Sequence, residues 1–174
     1  MNLILDIDGT LISESFFIEA RPFLKEFLTY CFETFDTVSI WTAAPQEHFE
    51  FVNKRFFKPI LDSIQQDWKF VFTNKKCSIT YIQNDYNYFY KQPCIVKRLK
   101  KVWKRPGFTR HNTIIIDDKK YTYMNNWGNA IPIDTYRGEF DDDKLQRLIK
   151  FLDIVKEYYL RNGTIRHLEK RFWN

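Results

Sequence analysis

Leu3-Ile4-Leu5-Asp6-Ile7-Asp8-Gly9-Thr10-Leu11-Ile12 runs from a short apolar strand into two carboxylates one residue apart, and then into a Gly-Thr turn. Alternation along a strand puts Asp6 and Asp8 on one side at its carboxyl end, where open α/β sheets bind ligands. Two acids so placed are costly unless a cation or a substrate uses them. A plainer reading also fits: the pair caps a turn, and Gly9 gives the backbone freedom to leave the strand.

The chemistry such a pair can serve is specific. A carboxylate that takes up a phosphoryl group needs a second acid to protonate the leaving oxygen. It also needs a divalent cation, so that anion can approach anion. Working outward, a second strand, Thr37 to Trp41, ends in Thr42-Ala43-Ala44 and then Pro45, a favourable first residue for a helix. A hydroxyl and free backbone N–H groups at such a junction form an anion site. Val96-Lys97-Arg98-Leu99 opens a basic segment expected to be helical, and the β-branched run Thr113 to Ile116 terminates in Asp117 and Asp118.

In this order the segments resemble the haloacid-dehalogenase-like phosphatases, and within them the small carboxy-terminal-domain phosphatase branch, also called NLI-interacting-factor-like. Arg21-Pro22-Phe23-Leu24-Lys25-Glu26-Phe27-Leu28 and Asn129-Ala130-Ile131-Pro132-Ile133 add to the resemblance, which covers nearly the whole chain. It implies a Rossmann-like α/β fold: a mostly parallel central sheet flanked by helices, a small insertion at about residues 69–94, and no large cap domain. It also implies roles. Asp6 is the expected nucleophile, and Asp8 the acid that protonates the leaving group and then activates water. Thr42 is expected to hold a phosphoryl oxygen, with Ala43 in the same substrate site, and Lys97 to balance the negative charge. Asp118, Asp6 and the main-chain carbonyl of Asp8 are the expected Mg²⁺ ligands. Asp117 either orients Lys97 or a metal-bound water, or shares the duties of Asp118. An all-oxygen site that keeps waters suits Mg²⁺.

Two departures bear on the substrate. Gly9 stands where the branch usually has glutamate, and Asp118 where it often has asparagine. A protein phosphatase and a small-molecule phosphatase can share the same core chemistry. The lysine needs its own argument, because Lys91, Lys100 and Lys101 lie nearby. The Val-Lys-x-Leu setting favours Lys97; without it, a solvated surface lysine is the ordinary reading.

Composition agrees with one domain spanning 1–174: 44% apolar residues, with 17 Phe and 10 Tyr, give material for a full core. No apolar run reaches the length of a membrane span, and Met1-Asn2 supplies no positive region of a signal peptide. The three cysteines, Cys31, Cys77 and Cys94, lack CxxC spacing and suit a reducing compartment, so the expectation is an intracellular protein of nucleus or cytoplasm, not a secreted one. Cys31 falls on the apolar face of its helix and reads as a packing residue. The formal charge is +5, and a basic stretch, 97–110, could attract phosphorylated peptides or nucleic acid. Its apolar stripe of Val96, Leu99 and Trp103 equally suits an amphipathic segment whose charges face water.

Pro22 to Phe32 and Pro45 to Phe57 read as amphipathic helices, and 69–73 and 78–83 as short strands. Residues 84–94 break the pattern. The insertion holds Tyr81, Tyr86, Tyr88, Phe89 and Tyr90, expected either to choose the substrate or to cover a sheet edge. Asp141-Asp142-Asp143 precedes a helix with Leu145, Leu148, Ile149, Leu152 and Val155 at helical spacing, ended by Gly163. A basic turn or helix, Ile165 to Phe172, then packs back on the core.

Three functions follow from this reading. The first is a Mg²⁺-dependent phosphatase of phosphoserine or phosphothreonine in a protein, with the carboxy-terminal repeats of RNA polymerase II as the candidate suggested by the resemblance. The second applies the same chemistry to nucleotides, nucleic-acid ends or small metabolites. The third is a phosphoprotein-binding module without useful turnover. Oligomeric state is left open.

Overall fold

Five apolar segments form one parallel sheet. The computed structural model describes the backbone of residues 1–84 and 87–173, and side chains other than those of 84–90 and 174. The strands are β1 (Asn2–Leu5), β2 (Thr37–Trp41), β3 (Val71–Phe72), β6 (Thr113–Asp117) and β7 (Ala130–Pro132), in spatial order β3-β2-β1-β6-β7. The chain builds outward from β1 to one side and later returns to build on the other. The strand order therefore reverses at β1, the position where doubly wound sheets open a crevice at their carboxyl ends. In register, Leu5 lies opposite both Ile40 and Ile116, which brings the residues after β1 and β2 level with the end of β6.

Period-two alternation divides the core. Leu3, Leu5, Val38, Ile40, Ile114 and Ile116 face one cluster, packed with α1 (Leu24–Thr34) and α5 (Lys144–Asn162); Ile4, Trp41 and Ile115 face the other, packed with Leu99, Val102, Phe108 and Tyr123. Both sheet faces are covered, as a parallel sheet requires. Asp6 and Asp117 continue the alternation of Ile4 and Ile115, so their carboxylates belong on the second face.

The helix after Arg21 starts at Leu24 instead of Pro22, because Phe23 adopts a left-handed φ of 63° that no α-helix accepts. Leu24, Phe27, Leu28 and Cys31 then bury one face, with Cys31 in the core as expected. The helix expected at 45–57 is longer and interrupted: α2 (Gln46–Val52), a π-helical turn (Asn53–Phe57) and α3 (Lys58–Ser63). Pro59 accounts for the interruption, since its ring crowds the carbonyl four residues back and a widened turn relieves the clash.

The strand expected at 69–73 contracts to Val71–Phe72, while residues 84–94 belong largely to a strand that sequence pattern missed. An antiparallel hairpin pairs β4 (Ser78–Asn84) with β5 (Asn87–Val96) outside the main sheet. Alternating polar and aromatic residues with Pro93 in the run hide this strand, and of its described side chains, at 91–96, only that of Val96 is buried. Tyr81 is exposed; Tyr86 lies outside the described residues, as do the side chains of Tyr88, Phe89 and Tyr90. Lys97 therefore follows a strand and does not open a long helix; a short 3₁₀ turn at Leu99–Lys101 comes next. After α4 (Lys120–Tyr123), β7 and α5, Gly163 ends the chain's longest helix at φ 66°, and residues 165–173 run irregularly back to Ile165, Leu168 and Trp173 in or against the core.

Candidate active site

Backbone register places Asp6 beside Asp117, its N–H donating to Ile116 O at 3.0 Å. Two adjacent buried carboxylates repel, and the structure answers with a cation. Lys97 Nζ lies 2.5 Å from Asp6 Oδ1 and 2.7 Å from Asp117 Oδ2, with the lysine side chain wholly buried. Burial works against the ammonium, but Asp117 and Asp6 outweigh it and hold Lys97 above the ordinary lysine range. Burial and the charge of Asp117 raise Asp6, against the pull of Lys97. One lysine does not neutralise two acids, and Asp118 adds a third.

Asp6, Asp117 and Asp118 present ligand atoms within 4.8 Å of one another. Their hydrogen bonds separate the two neighbours. Both oxygens of Asp117 are engaged, Oδ2 by Lys97 and Oδ1 by the Lys119 N–H at 2.9 Å. Asp118 Oδ2 accepts from Thr135 Oγ1 at 2.6 Å and lies 3.0 Å from Lys119 Nζ, while its Oδ1 is buried without a partner. Burial raises Asp118. An unpartnered carboxylate oxygen beside an under-neutralised carboxylate is what an oxygen-seeking divalent cation satisfies, so this residue set fits Mg²⁺.

Asp8 stands at the mouth, about one third exposed at the side chain, with Oδ1 2.6 Å from His48 Nε2 and Oδ2 accepting from Thr42 Oγ1 at 3.4 Å. Thr42 Oγ1 also accepts from the Ala44 N–H at 2.9 Å, which fixes the hydroxyl at the turn into α2. Ala43 is partly exposed between them. Thus Lys97 ties Asp6 to Asp117, Asp118 completes that acidic cluster and lies against Gly9, and Thr42 touches Asp8, the neighbour of Gly9 in the chain.

Several supporting residues carried no separate sequence signal. His48 reaches Asp8 from the first turns of α2. Asn126 donates to Lys97 O and accepts from the Leu99 N–H at 3.2 Å, which holds the backbone that presents the lysine. Arg21, buried, makes a paired contact with Asp142, both bonds at 2.8 Å, and donates to Thr10 O and Asp134 O at 3.1 Å. It braces the loop after Asp8 against the start of α5. A polar residue in a motif signals importance; only the fold shows what Arg21 touches.

Gly9 has φ +76°, and a Cβ there would stand 2.3 Å from Asp118 Oδ2. The absence of a side chain is what lets Asp118 lie against this loop. The basic stretch 97–110 is divided in the fold: Lys97 is inside, Lys101 Nζ donates to Lys76 O at 2.7 Å, and Arg105 lies 4.8 Å over Phe70. Arg98, Lys100, Lys104 and Arg110 stay exposed.

A family model described as "NLI interacting factor-like phosphatase" matches residues 1–161. The chain is similar to the "Ubiquitin-like domain-containing CTD phosphatase 1" of Xenopus tropicalis, 27% identical over 163 residues, covering 89% of this chain and 48% of that protein. It is also similar to the "Putative CTD phosphatase-like protein 355R" of Invertebrate iridescent virus 6, 24% identical over 187 residues, covering 90% of this chain and 98% of that one. It spans about half the length of the frog relative, and nearly all of the viral one. Among solved structures, Fcp1, described as an essential RNA polymerase II CTD phosphatase, matches with a TM-score of 0.63 at 14% identity, over 99% of this chain and 68% of that one. That likeness speaks for the fold.

Proposed function

The chain belongs to the NLI interacting factor-like phosphatase family, and from that premise we propose that it is a Mg²⁺-dependent phosphatase that hydrolyses phosphoserine and phosphothreonine in a protein, through an aspartyl-phosphate on Asp6. The supporting observation is Lys97, buried between Asp6 and Asp117 beside the unpartnered oxygen of Asp118.

Asp6 attacks phosphorus with one carboxylate oxygen while the bond to the leaving oxygen breaks. Asp8 gives its proton to that oxygen. In the second half, Asp8 takes a proton from water, whose oxygen attacks phosphorus, and Asp6 leaves as free carboxylate. Thr42 Oγ1 and the N–H groups entering α2 bind the phosphoryl oxygens, with Ala43 lining the approach. Lys97 offsets charge on Asp6 and on the phosphoryl group, and Asp117 keeps Lys97 in place. Asp6, Asp118 and the main-chain carbonyl of Asp8 would hold Mg²⁺, which when bound neutralises charge so that carboxylate and phosphate can meet. The relatives named for CTD phosphatase activity make the RNA polymerase II carboxy-terminal repeats the first protein substrate to try. Free cysteines accord with an intracellular site of action, and no described helix is long and apolar enough to cross a membrane.

The test compares wild type with Asp6→Asn for phosphate release from phosphoserine, phosphothreonine and phosphotyrosine peptides, nucleotides and sugar phosphates, with Mg²⁺ or EDTA. Release lost with EDTA and with Asp6→Asn establishes the chemistry. A higher kcat/KM on nucleotides than on peptides overturns the protein assignment, and no release by folded, Mg²⁺-loaded protein points to a binding module.

A further inference from the structure

On the edge of the sheet away from β3, the carboxyl-terminal segment folds past the turn Trp127–Asn129 and strand β7, and a half-open cavity of about 320 Å³ lies between them. Its wall holds two cations with no carboxylate partner within ion-pair distance among the described residues, Arg166 and Lys170. Arg166 is braced: Nη1 donates to Asn129 Oδ1 at 2.8 Å, and the guanidinium lies against Gly128, where a Cβ would come 3.2 Å from Cζ. Lys170 is 3% exposed, and its Nζ donates to Ile165 O and Leu168 O, each at 2.7 Å. An ammonium carries three donors, so these two bonds leave one over. The one acid on this wall, Glu169, is taken by Arg171 through bonds of 2.9 and 2.6 Å.

We propose that this cavity is a second anion site, separate from the Asp6 crevice, that takes a phosphate group, free or carried as a monoester. Two uncompensated cations match a phosphate dianion, and a guanidinium with one nitrogen pinned presents the rest of its fork to phosphoryl oxygens. Trp127, half-exposed at the rim, supplies an apolar side for whatever carries the phosphate. Burial pushes Lys170 down to about 8, aided by the nearby Arg166 and opposed by Glu169. An anion in the cavity reverses that penalty.

The experiment uses the whole chain with ¹⁵N-labelled tryptophan indoles, the Trp127 signal being assigned with Trp127→Phe. Inorganic phosphate is titrated without Mg²⁺ at constant ionic strength, with chloride as the control anion. The expected result is a saturable shift of the Trp127 signal that is weakened at least tenfold in both Arg166→Gln and Lys170→Gln. The other indole signals report that the variants are folded; should Lys170→Gln unfold, Arg166→Gln alone decides. A shift retained in Arg166→Gln means that phosphate acts from the Asp6 crevice, and it overturns the proposal, as does no shift or an equal shift with chloride. Phosphoserine and a phosphoserine peptide then separate the sources: affinity equal to that of phosphate marks the free ion, and a tenfold gain marks a chain-borne group. Asp6→Asn shows the same shift as wild type, so this result stands or falls independently of the catalytic reading.

Discussion

At position 9, even a methyl group meets Asp118 in a backbone conformation that side chains rarely adopt. Gly9→Ala is therefore expected to lose about 1–3 kcal/mol, read as a lower urea midpoint at unchanged slope. It should also weaken Mg²⁺ binding, measured by calorimetry, because Asp118 must turn aside. Asp8→Asn should lower turnover by about 10²–10⁴-fold on a substrate with a poor leaving group and much less on an activated aryl phosphate, which needs little protonation. His48→Phe should show the same leaving-group dependence in smaller measure, since the hydrogen bond that aims Asp8 is lost while the acid remains. Equal losses across the leaving-group series would leave His48 without a part in proton transfer. Asp6 and Asp8 were legible because a strand end shows itself in ten consecutive residues. His48 was not, because its partner lies 40 positions away and a histidine on a helix carries no mark of what it faces. The general position of Lys97 came from its motif, not from its charge: among so many neighbouring lysines and arginines, burial alone distinguishes it, and burial is a property of the fold.

Elements were legible where one face is apolar. The residues of α1 and α5 repeat at helical spacing, and β1, β2 and β6 are short apolar runs, so each announced itself. The β5 strand did not, since it pairs with β4 outside the main sheet and its described residues Lys91, Gln92 and Pro93 are all exposed, so no apolar alternation marks it. Arg21 links elements: it reaches from the segment before α1 to the loop after Asp8 and to Asp142 at the head of α5. Arg21→Met leaves Asp142 little exposed and without its cation, keeping the Lys144 N–H at 3.1 Å, with an expected loss of about 3–5 kcal/mol in chemical unfolding. Asp142→Asn should be milder, because a neutral amide still offers an oxygen to the guanidinium. In the irregular segment that follows α5, Lys170 supplies a pH dependence. Its folded value of about 8 lies below the ordinary 10.5, so between those limits the unfolded chain binds more protons and stability from this group rises with pH. Below about pH 8 the penalty is present in full. Wild type should gain on Lys170→Met when unfolding is compared at pH 7 and pH 10 in phosphate-free buffer.

For the molecule as a whole, a cation that binds only the folded acids must shift the unfolding equilibrium. Mg²⁺ at about a hundred times its Kd should add about 2.7 kcal/mol, seen as a rise in Tm that Asp118→Ala abolishes. The sheet order carries a further consequence. Because β1 lies between β2 and β6 and is buried on both faces, its amides have no partial opening through which to meet solvent. Their deuterium exchange should track the global unfolding free energy, while the β4–β5 hairpin exchanges far sooner. The strand that delivers Asp6 is thus the last part of the protein to loosen. In rising denaturant, phosphate release should persist after the hairpin has melted and vanish only with the sheet itself.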